Sequence, residues 1–328
     1  MQIMQVILNL ITAAVLAGTP LLLGTMGEIL TEKSGNLNLG VEGLMFMGGV
    51  AGLAASIFYE SAMQGAASGA VSALLAVVGS FLCGMFGSLI YSFLTVTLRA
   101  NQNVTGLTLT IFGTGFANFF GEFMANKMGG YAAVSDVTKK AFGNLNIPGL
   151  SDIPYVGKLL FNYNFVVYLG IVIALILAWF LNRTRIGLNL RAVGESPATA
   201  DAAGLNVARY KYLATCIGGG ICGLGGMYIV MVTCKGVWVH NCVNGQGWIA
   251  VALVIFAAWS AARGLWGAIL FGGLSVLRMY LPLGIPMQIY DMLPFVATIV
   301  VLIITSIRES KDNAQPKSCG INYFREER

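Results

Sequence analysis

The sequence predicts an all-α membrane protein, a polytopic bundle of about nine (nine to ten) transmembrane helices with one short cytoplasmic helix. Three observations support this prediction. Of the 328 residues, 57% are apolar and only 10% are charged, which leaves too few polar groups to cover a soluble globule. Apolar runs of roughly 20 residues, the length that spans a bilayer, recur along the chain. The runs are uniformly apolar, not alternating, and this pattern indicates helices instead of a β-barrel.

Nine such runs follow one another without an intervening soluble domain. The first has no basic segment ahead of it, so we expect a retained helix and not a cleaved signal peptide. The third is long enough to tilt or break. The runs are approximately Val6–Leu23, Leu39–Phe58, Ala70–Leu98, Val104–Phe123, Phe165–Leu181, Tyr212–Val232, Trp248–Ala262, Leu265–Pro282 and Met292–Ile307. They define a single transmembrane domain over residues 1–307 and a polar cytoplasmic tail over residues 308–328.

Basic residues orient the runs in the membrane. Thirteen Lys and Arg fall in the odd-numbered gaps and the tail, and five fall on the opposite side. The positive-inside rule then places the loop at residues 187–211 and the C-terminus in the cytoplasm, with the N-terminus outside. A re-entrant segment near residues 28–43 would reverse the N-terminal assignment alone. The net charge of +5 therefore reflects topology, and we expect no nucleic-acid partner.

The cysteines and the single histidine offer little chemistry. Three of the six cysteines lie within apolar runs, where a thiol behaves as a small hydrophobe. Cys234 and Cys242 flank His240 in an outer loop, so a disulfide or a metal site there stays an open alternative. The loop has no CxxC pair and the chain has no second histidine. We predict no metal and no catalytic residue.

Small residues spaced four apart predict close helix packing. Gly48, Gly49 and Gly52 form one such group, and Gly219 with Gly223 forms another. In lipid, residues of this size let helix backbones approach closely. The same glycines would also allow helices to slide past one another during transport.

Three polar patches place Asn or Gln beside glycine just before an apolar run. Non-helical backbone at membrane depth survives only where it is buried in protein or lines a path, and half-helix ends often form transporter substrate sites. Amide side chains donate and accept hydrogen bonds without carrying a charge, which suits a neutral polyhydroxylated or heterocyclic solute. Helix capping is the alternative role. The patches are Glu32–Phe46, Asn101–Phe112 and Asn244–Phe256, and the candidate pathway residues are Asn36, Asn38, Glu42, Asn101, Gln102, Asn103, Asn244 and Gln246.

A short helix with its own start and stop signals lies in the loop at residues 187–211. Ser196 is a good N-cap, Pro197 fits the first helical position, and Gly204 is a natural residue to end the helix. About seven residues cannot form a stable helix alone in water. The helix is rich in alanine, so its smooth surface favours docking on a partner, and an interfacial elbow on the membrane is the alternative.

Four motifs of the chain resemble those of a known family. In order and spacing, the chain resembles the permease subunits of bacterial ABC importers for nucleosides and simple sugars, closest to the branch with a binding lipoprotein of the basic membrane protein type. The likeness runs from about Gly27 to Gly273. The motifs are EKSGNLNLGVEG, NQNVTGL, RAVGESPATADAAGLNVARYKY and GWIAVALVIFAAW. The resemblance assigns coupling to an ATPase to Gly194, Glu195, Ser196, Pro197, Ala200, Asp201 and Gly204.

The resemblance implies a transport subunit of a bacterial cytoplasmic membrane, multi-pass and not an enzyme. The chain has no GxxxxGK[ST] phosphate loop, so ATP hydrolysis is expected in a separate chain. The implied partners are that ATPase, a second and different permease, and an external binding lipoprotein. We expect no cofactor in this chain, since ATP and Mg belong to the ATPase. A nucleoside is the expected solute.

Three alternatives stay open at this stage. The same machinery carrying a monosaccharide is the nearest one. An ion-coupled secondary transporter would need a titratable group at mid-membrane, for which Glu42 is the candidate. A membrane-embedded enzyme is disfavoured by the single histidine and by the lack of paired acids within the predicted helices.

Overall fold

The computed structural model describes residues 2–63, 65–145, 156–280, 286–308 and 315–325. Its regular secondary structure is helical, apart from one isolated bridge between Ala133 and Val237. The helices are α1 Gln2–Glu32, α2 Val41–Met63, α3 Gly69–Ser92, α4 Gln102–Lys127, α5 Asp136–Ala141, α6 Val156–Leu160, α7 Phe165–Arg183, α8 Arg185–Glu195, α9 Pro197–Ala202, α10 Val207–Tyr228, α11 Gln246–Phe256, α12 Ala261–Tyr280 and α13 Met287–Arg308. Two π-helical turns, Phe93–Thr97 and Ile229–Thr233, continue α3 and α10. The all-helical prediction is confirmed for these residues.

Five helices of the described chain are long and apolar enough to cross a membrane. They are Met4–Glu32, Val41–Met63, Gly69–Thr97, Phe165–Arg183 and Val207–Thr233. The other four predicted runs coincide with α4, α11, α12 and α13. In the last three, the apolar stretches within the described residues are Gln246–Phe256, Ala261–Leu277 and Gln288–Val300. α11, for example, has 11 residues and is about 16 Å long, roughly half the hydrocarbon thickness. The end of the eighth predicted run, 281–282, and tail residues 309–314 and 326–328 lie outside the described residues.

Close contacts at glycine build the centre of the bundle, where α10 packs against α1, α2 and α3. A methyl group added to Gly48 would collide with the backbone of Gly223, and one added to Gly223 would collide with Ser80. A methyl group on Gly219 would collide with Ser88. These helices therefore meet at backbone distance, as small residues allow in lipid. The predicted packing role of Gly48, Gly219 and Gly223 is confirmed.

The segments rich in basic residues gather at one end of the bundle, which we name the basic end. Gly194 of α8 lies against the backbone of Lys33, just after α1. In the tail, the Asn322 amide donates to the carbonyl of Arg99, just before α4. α1 ends here, so the N-terminus lies at the opposite end. Residues 33–40, most of which are buried, connect α1 to α2.

At the opposite end, connecting segments contact the helices α2 and α4. The hydroxyl of Ser135 donates to Glu60 at 2.7 Å, and the Asn118 amide donates to Asn241 at 2.8 Å. Cys234 and Cys242 lie here as free thiols, so the structure contains no disulfide between them. Among the described residues, no group of three His, Cys, Asp or Glu side chains is arranged to hold a metal ion.

Candidate functional site

The polar loop folds into α8 and α9, which meet at Ser196. Its Oγ caps α9 by accepting the Thr199 N–H at 3.4 Å, and Pro197 occupies the first turn. Gly204 follows the helix with φ +83°, and its N–H donates to the Asp201 carbonyl at 2.9 Å. A residue with a side chain would be strained at this φ. The predicted helix, with its start and stop residues, is confirmed.

α9 is anchored on one side and exposed on the other. Ala200, only 4% exposed, packs with Val193 and Val207 in an apolar cluster separate from the main core. Such anchoring explains how a helix too short to be stable alone is retained. The residues on the outer side share small side chains and face solvent: Ala198, Thr199, Ala202 and Ala203. This smooth surface, which we name the α9 outer face, is available to a partner.

Gly194 and Glu195, at the end of α8, contact the C-terminal tail. The buried Gly194 carbonyl accepts the Ser318 N–H at 3.1 Å and also the Ser318 hydroxyl. The exposed Glu195 carboxylate accepts the Lys317 N–H at 3.5 Å. The tail therefore runs beside the junction of α8 and α9.

Asp201, on α9, faces the tail and not the α9 outer face. Tyr323 OH donates to its Oδ2 at 2.9 Å, and Arg325 Nε lies 3.1 Å from the same oxygen. The Asp201 side chain is 14% exposed. Its carboxylate is thus engaged by the protein's own chain, while the alanines of α9 remain exposed.

Gln102 connects this tail to the loop after α1. Its Oε1 accepts the Leu37 N–H at 2.7 Å, and its Nε2 donates to Asn322 Oδ1 at 3.1 Å. Tyr91 OH donates to the Leu37 carbonyl at 2.6 Å, which fixes the same loop from α3. Gln102 is 2% exposed. It therefore acts as a buried link between three segments at the basic end.

Asn101 and Asn103 flank Gln102 but are exposed. Asn101 is the N-cap of α4, because its Oδ1 accepts the Val104 N–H at 3.1 Å. The structure thus separates three neighbours that the sequence grouped together. Gln102 is a buried connector, Asn101 caps α4, and Asn103 faces outward.

The loop between α1 and α2 carries a buried amide network. Asn36 Nδ2 donates to Thr215 Oγ1 at 2.9 Å, and the Asn38 N–H donates to Glu28 Oε1 at 3.0 Å. Asn38 Oδ1 accepts the Gly40 N–H at 2.9 Å. Asn36 Oδ1 and Asn38 Nδ2 are buried without a hydrogen-bond partner in the structure. Buried amide atoms without a partner are rare. These two could each form a hydrogen bond with a further polar group.

Glu42 lies where the N-termini of α2 and α11 meet. Its two carboxylate oxygens accept the N–H groups of Gly245 and Gly247 at 2.7 and 2.6 Å. A carboxylate at a helix N-terminus is favoured by both the hydrogen bonds and the helix dipole. Asn244 is exposed with φ 49°, and Gln246 is half-buried in the first turn of α11. The predicted pathway residues therefore form one group around Glu42 and another at the basic end.

Comparison with known proteins decides the family. Residues 9–302 match the family described as the permease component of branched-chain amino acid transport systems. The chain belongs to this permease family. It is accordingly a multi-pass membrane component of a transport system and not an enzyme.

The permease is similar to subunits of several ABC transporters. The guanosine ABC transporter permease protein NupQ of Bacillus subtilis is 32% identical over 100% of both chains. The nucleoside ABC transporter permease protein NupC of Lactococcus lactis is 30% identical over 99% of both chains. TsgC13 of Haloferax volcanii, whose name assigns it provisionally to glucose transport, is 36% identical over 83% of this permease and 77% of its own length.

Two features of the permease were missed from sequence. The tail was interpreted as a charged extension, yet its residues 316–325 pack on α8, α9 and the start of α4. Its motif INYF, with two aromatic residues among charges, was the available sign. Glu28 and Glu32 were also missed: both are buried on α1, and Glu32 accepts the Trp259 indole N–H. The expectation of no paired acids within the helices is therefore wrong, because α1 continues nine residues beyond the predicted end of the first run.

Burial controls ionisation at the basic end. Burial, followed by the charge of Arg191, lowers the pKa of Lys33. Burial, followed by the charge of Glu32, raises the pKa of the Cys319 thiol in the tail. Charges in such partly dry surroundings interact more strongly than on an open surface.

Proposed function

We propose that this permease forms the translocation path for a nucleoside in an ATP-driven ABC importer of the bacterial cytoplasmic membrane. The single observation that carries the proposal is the capped and anchored α9, which presents small side chains outward at the basic end. The chain has no phosphate loop of its own, so the energy comes from another subunit. The similarity to NupQ and NupC over nearly the whole chain supports a nucleoside as solute.

The α9 outer face is the proposed docking surface for the ATPase, which holds ATP and Mg. Closure of the ATPase would move α9 and tilt the bundle from outward-open to inward-open. Gly194, Ser196, Pro197, Ala200 and Gly204 shape and anchor the helix, and Glu195 borders it. Asp201 acts from the inner side, through the tail.

An Ala202→Trp variant tests this docking. Ala202 is exposed on α9, so an indole there blocks a flat partner without disturbing the fold. We expect at least tenfold less ATPase subunit to co-purify, and loss of ATP-dependent uptake. Ala262→Trp is the matched control, because Ala262 is exposed in the first turn of α12 at the same end. Equal ATPase recovery from both variants would contradict the proposal.

The amides of Asn38, Asn101 and Gln102 are the proposed solute-contacting groups on the basic side of the path; Asn38 and Gln102 are buried, and Asn101 is exposed. Asn38 carries an unmatched Nδ2, and Gln102 fixes the loop beside it. Single changes of Asn38, Asn101 and Gln102 to Ala are expected to lower uptake with assembly intact, with the exposed Asn103→Ala as control. Unchanged transport kinetics in all three would reduce them to packing and capping roles.

A monosaccharide is the second candidate solute, favoured by the 36% identity to TsgC13. The external binding lipoprotein, the third proposed partner, makes the first selection. Titrating that lipoprotein with nucleosides and with glucose separates the two candidates. Binding of glucose alone would replace the nucleoside assignment and leave the ABC mechanism unchanged.

An ion-coupled secondary transporter is less well supported, because the relatives are ABC transporter permeases. Its candidate, Glu42, already accepts two backbone N–H groups. Uptake that stops on ATP depletion and persists with a protonophore supports the ABC mechanism. Uptake that persists on ATP depletion and stops with a protonophore supports ion coupling.

The proposed topology has nine membrane-crossing segments, with the basic end in the cytoplasm and the N-terminus outside. A second, different permease subunit completes the path. A single cysteine introduced at Ala198 should react with a membrane-impermeant thiol reagent only from the cytoplasm. One introduced at Asn126 should react only from outside. Affinity purification of the tagged permease from its native cells should recover the second permease.

A further inference from the structure

A cavity of about 430 Å³ opens at the basic end, between the π-helical end of α3, the start of α10 and the tail. Arg99, Lys211 and Arg325 contribute basic side chains to its wall, and Asp201 contributes the one acid. Tyr323 adds an aromatic ring with a polar tip. None of the proposed pathway residues lines this cavity, so the solute path does not account for it.

Lys211 is the most informative group in the wall. The residue is 3% exposed and lines the cavity, and it makes no hydrogen bond or ion pair with another described residue. An unpaired ammonium is costly to bury, and such groups normally have a charged or polar partner. Because Lys211 lines the cavity, an anion bound there would supply the missing partner.

The charge around the cavity favours an anion more generally. Three basic side chains and one carboxylate leave a net charge of +2, and the carboxylate of Asp201 is already occupied by Tyr323 and Arg325. Arg99 is held in place over the Phe324 ring, 4.6 Å from its centroid. The first turn of α10 also lies in the wall, and a helix N-terminus carries partial positive charge.

We propose that this cavity binds the phosphate group of an anionic ligand, with Lys211 and Arg99 as its main contacts. A phosphate fits the charge and leaves room for an attached group. Lys211 provides a point charge, and Arg99 can provide the paired N–H donors that recognise phosphate oxygens. The cavity lies at the boundary of two candidate spans, so the phosphate belongs either to a cytosolic phosphate ester or to the headgroup of an acidic phospholipid. Both share the same chemistry.

Thermal unfolding of the full-length permease tests the site. In detergent, inorganic phosphate is compared with chloride at equal ionic strength, and in nanodiscs phosphatidylglycerol is compared with phosphatidylcholine. A ligand that binds only the folded state raises the unfolding temperature. Lys211→Met keeps the length of the side chain without its charge. Arg209→Gln is the matched control, because Arg209 is an exposed cation in the same helical turn and does not line the cavity.

We expect phosphate, phosphatidylglycerol or both to raise the unfolding temperature of the wild type and of Arg209→Gln. Lys211→Met should bind at least about tenfold more weakly, since it loses a charge-assisted contact. A response to phosphate identifies a soluble ester, and a response to phosphatidylglycerol alone identifies a lipid headgroup. Arg325→Gln, a change in the tail, provides a second variant with the same expected direction. No response of the wild type to either ligand, or equal responses of Lys211→Met and Arg209→Gln, would overturn the proposal.

Discussion

Tyr323, in the C-terminal tail, donates a hydrogen bond to Asp201 of α9 at 2.9 Å. The two residues are 122 positions apart in sequence. Through this contact, the tail is attached to the helix that is proposed to receive the ATPase. The tail also reaches Gly194 through Ser318 and Arg99 through Asn322. Movement of α9 must therefore strain or release the tail.

The first prediction is that the tail stabilises α9. Tyr323→Phe combined with Arg325→Gln removes both contacts to Asp201. Amide hydrogen exchange at residues 196–204 should become roughly five- to tenfold faster, since such contacts contribute about 1 kcal/mol. Lys317→Ala is the control, because Lys317 contacts Glu195 through its backbone N–H. Unchanged exchange in the double variant would show that these two tail contacts do not stabilise α9.

The second prediction concerns Glu42 as the cap of α11. Glu42→Ala leaves the Gly245 and Gly247 N–H groups unpaired, which should cost about 2–4 kcal/mol of stability. Glu42→Gln keeps one acceptor oxygen and should fold with at least half of the uptake. Thermal unfolding and uptake are measured on both variants. A folded Glu42→Gln protein without uptake would instead assign the charge to transport.

The third prediction tests the helix contact at Gly48. A methyl group at Gly48 would collide with the Gly223 backbone, which cannot move away as a flexible side chain would. Gly48→Ala should therefore destabilise the protein by about 1–3 kcal/mol, as overpacking does. Gly115 is the control, because a methyl group there meets nothing within 4 Å. Gly115→Ala should change stability by less than about 0.5 kcal/mol. Equal unfolding temperatures for the two variants would contradict the close packing of α2 on α10.

Local signals account for what the sequence predicted well. Apolar run length placed the long helices, and cap residues at Ser196, Pro197 and Gly204 defined α9, because these features act within a few residues. Glycine spacing likewise predicted that Gly48 and Gly223 lie at close helix contacts, although not that they contact each other. None of these needs knowledge of distant partners.

The missed features depend on contacts between distant segments. Asp201 and Tyr323, or Gln102 and Asn322, are matched only after folding. The hydrogen bonds of Glu42 to Gly245 and Gly247 could not be predicted either, because these glycines lie more than 200 positions away. The first run was ended at Leu23 by its polar residues, although burial against α10 carries α1 on to Glu32.

The last prediction concerns the buried acids Glu28 and Glu32, one helical turn apart on α1. Glu28 Oε1 accepts the Asn38 N–H, whereas its Oε2 is buried without a hydrogen-bond partner in the structure. Two carboxylates so close in a dry interior repel each other when both are charged. Glu28→Gln replaces the acid with a neutral amide and keeps an acceptor for Asn38, so it should be as stable as the wild type or about 1 kcal/mol more stable.

Glu28→Ala provides the contrast, because it leaves the Asn38 N–H unpaired and opens a cavity. It should lose about 2–4 kcal/mol of stability, measured by thermal unfolding in the same detergent. A Glu28→Gln protein that is clearly less stable than the wild type would show that the charge itself is paired, against this interpretation. If Glu28→Gln is stable but transports nothing, the acid pair contributes to the transport cycle, in addition to holding the loop that carries Asn38.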